Sequence, residues 1–229
     1  MEELYRAVAR GAGWAARGAV WLWETVGPTP DEERDPTDRK ERFRHPDRQR
    51  PLTPGQLAEA EAELGIVLPA EYRAFLLDPP KDGGPKPGAP VNPLTRTADG
   101  WRWRTEYTIA YDSLAADFPH PGSYAAEDDA LRAREPRQDD FPDPAAFDTA
   151  YLAWEREAEA FEEAKTVGAV VIRDGGCGFS TLLVVSGPLA GTMWFDGRAS
   201  CDLILPLKKD DRPGTFAEWL TGETPADPW

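Results

Sequence analysis

Residues 168–196 read GAVVIRDGGCGFSTLLVVSGPLAGTMWFD, a run of β-branched and aromatic residues broken at intervals by Gly and Pro. That punctuation predicts three antiparallel strands joined by two turns. The first covers 169–173 and stops at Asp174-Gly175-Gly176. The second covers 179–185, with Phe179, Thr181, Leu183 and Val185 on one face and Ser180, Leu182 and Val184 on the other. Both faces are largely apolar, so this strand belongs in the middle of a covered sheet. Ser186-Gly187-Pro188 turns the chain into a third strand, 192–196, with Trp194 and Phe195 on opposite faces. Such a meander is a scaffold, and no reacting group is visible in it. Residue physics alone supports a soluble α+β domain.

Composition bounds what surrounds the meander. The 229 residues are 41% hydrophobic with nine Trp and nine Phe, enough for the core of one domain, while 29% charged residues and 23 Pro imply long polar connections. Net charge is −15, from 41 acids and 26 bases. That balance speaks against nucleic acid and anionic membrane as partners, because phosphate binding needs a basic surface. A basic protein is the natural complement; the plainer alternative is that the acidity serves solubility. Cys177 and Cys201 are the only cysteines. Two thiols without a recognisable leader suggest a reducing cytosol, and each, in or beside a predicted strand, is expected to be a small buried thiol.

Toward the N-terminus, Leu4, Val8, Ala12, Ala15, Ala19, Leu22 and Val26 recur at helical spacing, with Trp14, Trp21 and Trp23 added. Arg10 and Arg17 interrupt any signal-peptide core, so residues 1–27 are read as a helical extension, either docked on the body or offered to a partner or membrane surface; docking is favoured because a free stripe of that size is an association liability. Residues 28–51 carry seven acids, seven bases and Pro28, Pro30, Pro36, Pro46 and Pro51, the composition of a linker. The domain proper is expected at 52–221, with an insertion at 112–164 and a polar tail at 222–229.

Thr53-Pro54-Gly55-Gln56 is a capping box with Pro at the first helical position. Leu57, Ala60, Glu61 and Leu64 continue that helix, and Gly65 supplies a left-handed cap. A second helix starts at Pro69, with Tyr72, Phe75 and Leu76 on one face and Pro79-Pro80 at its end. Beyond a Gly/Pro turn region at 81–90, Trp101, Trp103, Thr105, Tyr107, Ile109 and Tyr111 alternate with polar neighbours. This predicts one half-buried strand over 101–111, preceded by an Asp99-Gly100 turn and a partner strand within 91–97. A last strand is expected at 203–207. Thr215-Phe216-Ala217-Glu218 is a second capping box, opening a short helix with Phe216, Trp219 and Leu220 inward.

The insertion is loop-like up to 144 apart from a short helix at 125–134. A longer helix then follows from Pro144, with Phe147, Tyr151, Trp154, Ala158 and Phe161 on one stripe. Residues 127–165 hold thirteen acids and five bases, a net −8. This is the first candidate for a partner surface, with Glu127, Asp128, Asp129, Glu155 and Glu159 steering a basic protein and Trp101 and Trp103 as aromatic anchors. The plainer reading of the same residues is a solvated helix face and two core rings.

Catalytic patterns are scarce. His45 and His120 are the only histidines, and neither sits in a motif. A Cys177–His120 nucleophile pair is conceivable on a glycine-flanked turn, but the element after Cys177 reads as a strand where a nucleophile elbow requires a helix. Gly175-Gly176-Cys177-Gly178 has no following Lys-Ser/Thr and opens no helix, so it fails as a phosphate cradle. The scattered Cys and His do not make a zinc site, and Glu127-Asp128-Asp129 lacks the alternation of a calcium loop. No cofactor or metal is expected.

The order of parts resembles the SUKH superfamily, the Smi/Knr-like domains. Glu61, Leu64-Gly65, Leu68-Pro69, Tyr72 and Phe75-Leu76 are similar to its opening signature; Gly176-Cys177-Gly178, Gly187-Pro188, Gly191 and Trp194-x-Asp196 to its body; and Phe216-x-x-Trp219-Leu220 to its closing helix. These positions are fold determinants. The resemblance implies an α+β domain with an antiparallel or mixed sheet of about five to six strands and helices packed on it. It also implies a non-catalytic, cytoplasmic protein of the bacterial immunity type, which blocks a cognate toxin such as a nuclease. A regulatory scaffold without a toxin partner is the alternative.

Overall fold

The structure, a computed structural model, describes residues 48–80, 91–225 and 228. The helix expected at 1–27, most of the linker at 28–51, the turn region at 81–90 and part of the tail lie outside the described residues.

Thr53 opens α1 (Pro54–Leu64). Its hydroxyl accepts the Gln56 N–H at 3.2 Å while the Gln56 side chain accepts the Thr53 N–H at 2.9 Å, the reciprocal cap that the spacing predicts. Gly65 ends the helix in the left-handed region, φ 69°, a conformation that costs any residue with a Cβ. The Glu61 carboxylate then reaches forward, accepting the Leu68 N–H at 2.9 Å and pairing with Arg73 at 3.1 Å. It thereby ties α1 to α2 (Ala70–Leu77), whose Pro69 stands at the N-cap and whose Tyr72, Phe75 and Leu76 are buried.

A hairpin follows, β1 (Leu94–Thr97) and β2 (Gly100–Trp103), in antiparallel register with Thr97 opposite Gly100. The strand expected over 101–111 therefore stops at Trp103. Asp174, far along the chain, accepts the Thr105 hydroxyl at 2.6 Å and the Glu106 N–H at 3.1 Å, and the Trp103 N–H donates to the Tyr111 hydroxyl at 3.1 Å. These bonds draw the chain out of the ladder.

The segment 112–164, the expected insertion, contributes α3 (Pro121–Ala133) and α4 (Pro144–Ala164), each with Pro in its first turn. The main sheet comes next, with β3 (Ala169–Gly176), β4 (Phe179–Val184), β5 (Met193–Asp196), the short α5 (Arg198–Cys201) and β6 (Ile204–Pro206). Strand order is β3-β4-β5-β6, all antiparallel, and β4 is central and buried beyond Phe179. The small ribbon β7 (Lys208–Lys209) and β8 (Arg212–Pro213) leads to α6 (Phe216–Leu220), opened by the Thr215/Glu218 capping box.

Two details differ from the expected meander. β3 runs on through Asp174-Gly175-Gly176, so the turn falls on Cys177 and Gly178, both at positive φ. The sheet has four strands among the described residues, against an expected five to six, because the β1–β2 hairpin forms its own pair. The hairpin meets β3 instead at a bulge between Val171 and Arg173. There the Ile172 carbonyl accepts the Asn92 N–H at 2.6 Å, and the Asn92 side chain donates to Asp174 at 2.8 Å. One hydrophobic cluster joins the helix pair, hairpin, sheet and α6, with Phe216 edge-on to Tyr72 at 5.0 Å and to Phe75 at 5.3 Å.

Candidate functional site

The candidate surface lies where the segment 112–164 crosses the sheet. Val171, Leu182 and Trp194 are ladder partners and so share one face of it. The loop before α3 lies on that face: the Phe118 ring is 5.2 Å and the His120 ring 5.8 Å from Trp194. Gly187, at φ 82°, lies where this loop passes close, and a Cβ there would stand 2.9 Å from the Asp117 Cα. Nothing larger than glycine fits that crossing.

α3 and α4 pack antiparallel. Tyr124 meets Phe161 edge-on at 6.1 Å, and the Trp154 indole N–H donates to the Leu131 carbonyl at 3.0 Å. His120 caps α3 by accepting the Gly122 N–H at its Nδ1, and Asp143 caps α4 by accepting the Ala146 N–H. A charged network binds this pair to the body. Lys165, only 3% exposed, places its Nζ 2.9 Å from Asp128 and 2.5 Å from Glu162, above the Phe161 ring at 4.7 Å. Arg198 pairs with Asp196 at 2.7 Å and with Glu162 at 3.2 Å. Burial works against its charge, but these carboxylates hold the guanidinium above its ordinary value. Arg132 bridges Asp128 at 3.0 Å and Asp202 at 3.2 Å.

Between this network and the sheet lies a cleft of about 620 Å³. Val171, Ser180 and Leu182 line it from the sheet, Leu131 and Ala158 from the helix pair, and Tyr107 and Ile109 from the segment that leaves β2. The charges sit together in it: Asp128, Glu162, Asp196 and Asp202 with Arg132 and Arg198. Asp202 has φ 52°, and burial raises its proton affinity above the usual carboxylate range against the pull of Arg132. Among the described residues no three His, Cys, Asp or Glu side chains converge to hold a metal ion. No described helix is long and apolar enough to cross a membrane.

The sequence-derived candidates divide. Trp101 and Trp103 are 2% and 4% exposed and belong to the core, where the Trp103 indole donates to the Tyr72 hydroxyl at 2.8 Å. They hold the hairpin to α2 and cannot serve as partner anchors. Asp128 points into the ion network, whereas Glu127, Asp129 and Glu159 are exposed and Glu155 is half-buried. Asp196 and Trp194 stand at the cleft and beneath the insertion, Gly191 takes φ 90° in the turn before β5, and Trp219 is buried at 1% exposure. Cys201 is buried as expected, but Cys177 is exposed, because the turn that carries it projects beyond the ladder. His120 is occupied as a helix cap against Trp194, so its recorded contacts give Cys177 no imidazole partner.

Sequence reasoning missed the cations Arg132, Lys165 and Arg198. Two of them carried a local signal, since Asp128–Arg132 is an i,i+4 pair and Glu162–Lys165 an i,i+3 pair. Arg198 reaches Glu162 only through the tertiary fold.

No curated protein and no solved structure matches the chain. A family model does match, over residues 51–195, from the cap of α1 through the insertion to β5. The helix pair, Gly187 and the meander from β3 into β5 fall in that span, and the chain belongs to the SMI1/KNR4 family (SUKH-1).

Proposed function

We propose that this protein is a non-catalytic immunity protein that binds a basic toxin domain, a nuclease being the leading class, and occludes its active site in the cytoplasm. SUKH domains are often immunity proteins and typically bind protein partners. The observation that supports the toxin-binding role is the division of acids within the insertion. Asp128 and Glu162 are consumed in anchoring α3 and α4, while Glu127, Asp129 and Glu159 remain in solvent on the same two helices. An acidic element held firmly against the sheet presents its exposed charge in a fixed position, and that favours fast, salt-sensitive capture of a basic surface.

The test is to express the products of genes adjacent to this one, each with and without this protein. Growth arrest by one of them, relieved by co-expression of this chain, is the expected result. If no neighbouring product is toxic, or its toxicity persists with this protein present, the proposal fails.

A further inference from the structure

The cleft beneath the insertion joins two chemistries. On one side is an apolar surface, where Val171 and Leu182 face each other across β3 and β4 and Leu131 and Ala158 oppose them. On the other is a charge cluster in which carboxylates outnumber cations: Asp128, Glu162, Asp196 and Asp202 stand against Arg132, Lys165 and Arg198. The pairing is uneven. Asp196 is gripped by Arg198 through three hydrogen bonds, two from the guanidinium and one from the backbone N–H, Asp128 is shared by Arg132 and Lys165, and Glu162 by Lys165 and Arg198. Asp202 has the single bridge to Arg132, at 3.2 Å.

We propose that this cleft receives one cationic side chain of a bound protein, an arginine or lysine whose alkyl stem lies on the apolar surface and whose charge meets Asp202. The source of that side chain rests on the proposed function, which supplies a basic partner. The chemistry of the cleft stands apart from it.

Several features favour this occupant. The volume is that of a small-ligand pocket and leaves room for a long side chain. The molecule already houses a cation in the same manner nearby, since the Lys165 ammonium rests between two carboxylates and over an aromatic ring. Tyr107 also lines the cleft. An anion would have to displace carboxylates from Arg132 and Arg198, each of which already bridges two. Asp202 is also under-solvated when ionised, so a second cation is favourable there.

The test uses the full chain and N-butylguanidinium, a stem and charge without a partner protein. Its titration, followed by amide chemical shifts, should give saturable changes at Ser180, Leu182, Asp196 and Asp202. Asp202→Asn, a residue that tolerates the left-handed backbone at this position, should weaken binding by about tenfold or more, the usual scale for losing a charged hydrogen bond. Thr108→Trp, at an exposed position on the cleft wall, should block binding without touching the charges. Butyrate should not bind. Equal binding of butyrate, shifts that survive both variants, or no saturable shift would overturn the assignment. Because the probe needs no toxin, a silent cleft with intact protection from a toxin removes only this inference. A binding cleft without any protection removes only the toxin reading.

Discussion

The Lys165 ammonium and the Asp128 carboxylate meet at 2.9 Å in a site where the lysine is only 3% exposed. Asp128 lies between two exposed acids in the sequence, yet it anchors the insertion while they do not. Asp128→Ala should cost about 2 kcal/mol, because it removes one of the two carboxylates that hold the buried Lys165 ammonium. Glu127→Ala and Asp129→Ala should each stay within about 0.5 kcal/mol. Urea unfolding of the three variants measures this, and equal losses would show that the network is not the anchor.

Tyr72 and Trp103 make a second such pair, joining α2 to the hairpin. Tyr72→Phe keeps the ring against Phe216 but leaves a buried indole N–H without its acceptor. The expected loss is about 1–3 kcal/mol. A neutral result in thermal unfolding would mean that the indole finds another acceptor.

Glu218 links stability to acid. Its carboxylate accepts hydrogen bonds from Arg212 and from the Thr215 N–H, and it is held at about 2 against an ordinary 4.5. A carboxylate whose pKa falls on folding contributes fully above its unfolded value, and that contribution vanishes as pH drops through the folded one. Stability should therefore decline between about pH 4.5 and 2 in part through this group. Glu218→Gln should flatten that decline in melting temperatures measured across the range. An unchanged profile would assign the acid sensitivity elsewhere.

The two thiols should differ in reactivity. Cys177 is exposed on the β3–β4 turn, while Cys201 is buried and its thiol is pushed up from its ordinary value by burial. Native alkylation should label one cysteine, mapped by mass spectrometry to Cys177, and denaturant should release the second. Rapid native labelling of Cys201 would contradict the burial of its side chain.

Much of the architecture was legible because its signals are local. Thr53 and Gln56, Thr215 and Glu218, and Gly65 specify helix ends within a few residues, and the two-sided apolar pattern of β4 identifies a central strand. The strand at 101–111 was read too long because its termination depends on Asp174, almost seventy residues away. Trp101 and Trp103 illustrate a different limit. Alternation marks a face as apolar, but it cannot say whether that face meets the protein's own core or another molecule. At the cleft, the helical spacing of Asp128 with Arg132 was readable, whereas the meeting of Glu162 with Arg198 required the sheet and insertion to be docked.

The central claim concerns the exposed acids of α3 and α4, and the most direct measurement is inhibition of the cognate toxin's activity by purified protein at several salt concentrations. Wild-type protein should inhibit stoichiometrically at low salt and bind more slowly as salt rises. A Glu127→Lys, Asp129→Lys, Glu159→Lys variant, with the anchoring Asp128 left intact, should fold and lose inhibition by at least about tenfold. Full, salt-independent inhibition by that variant would contradict the account.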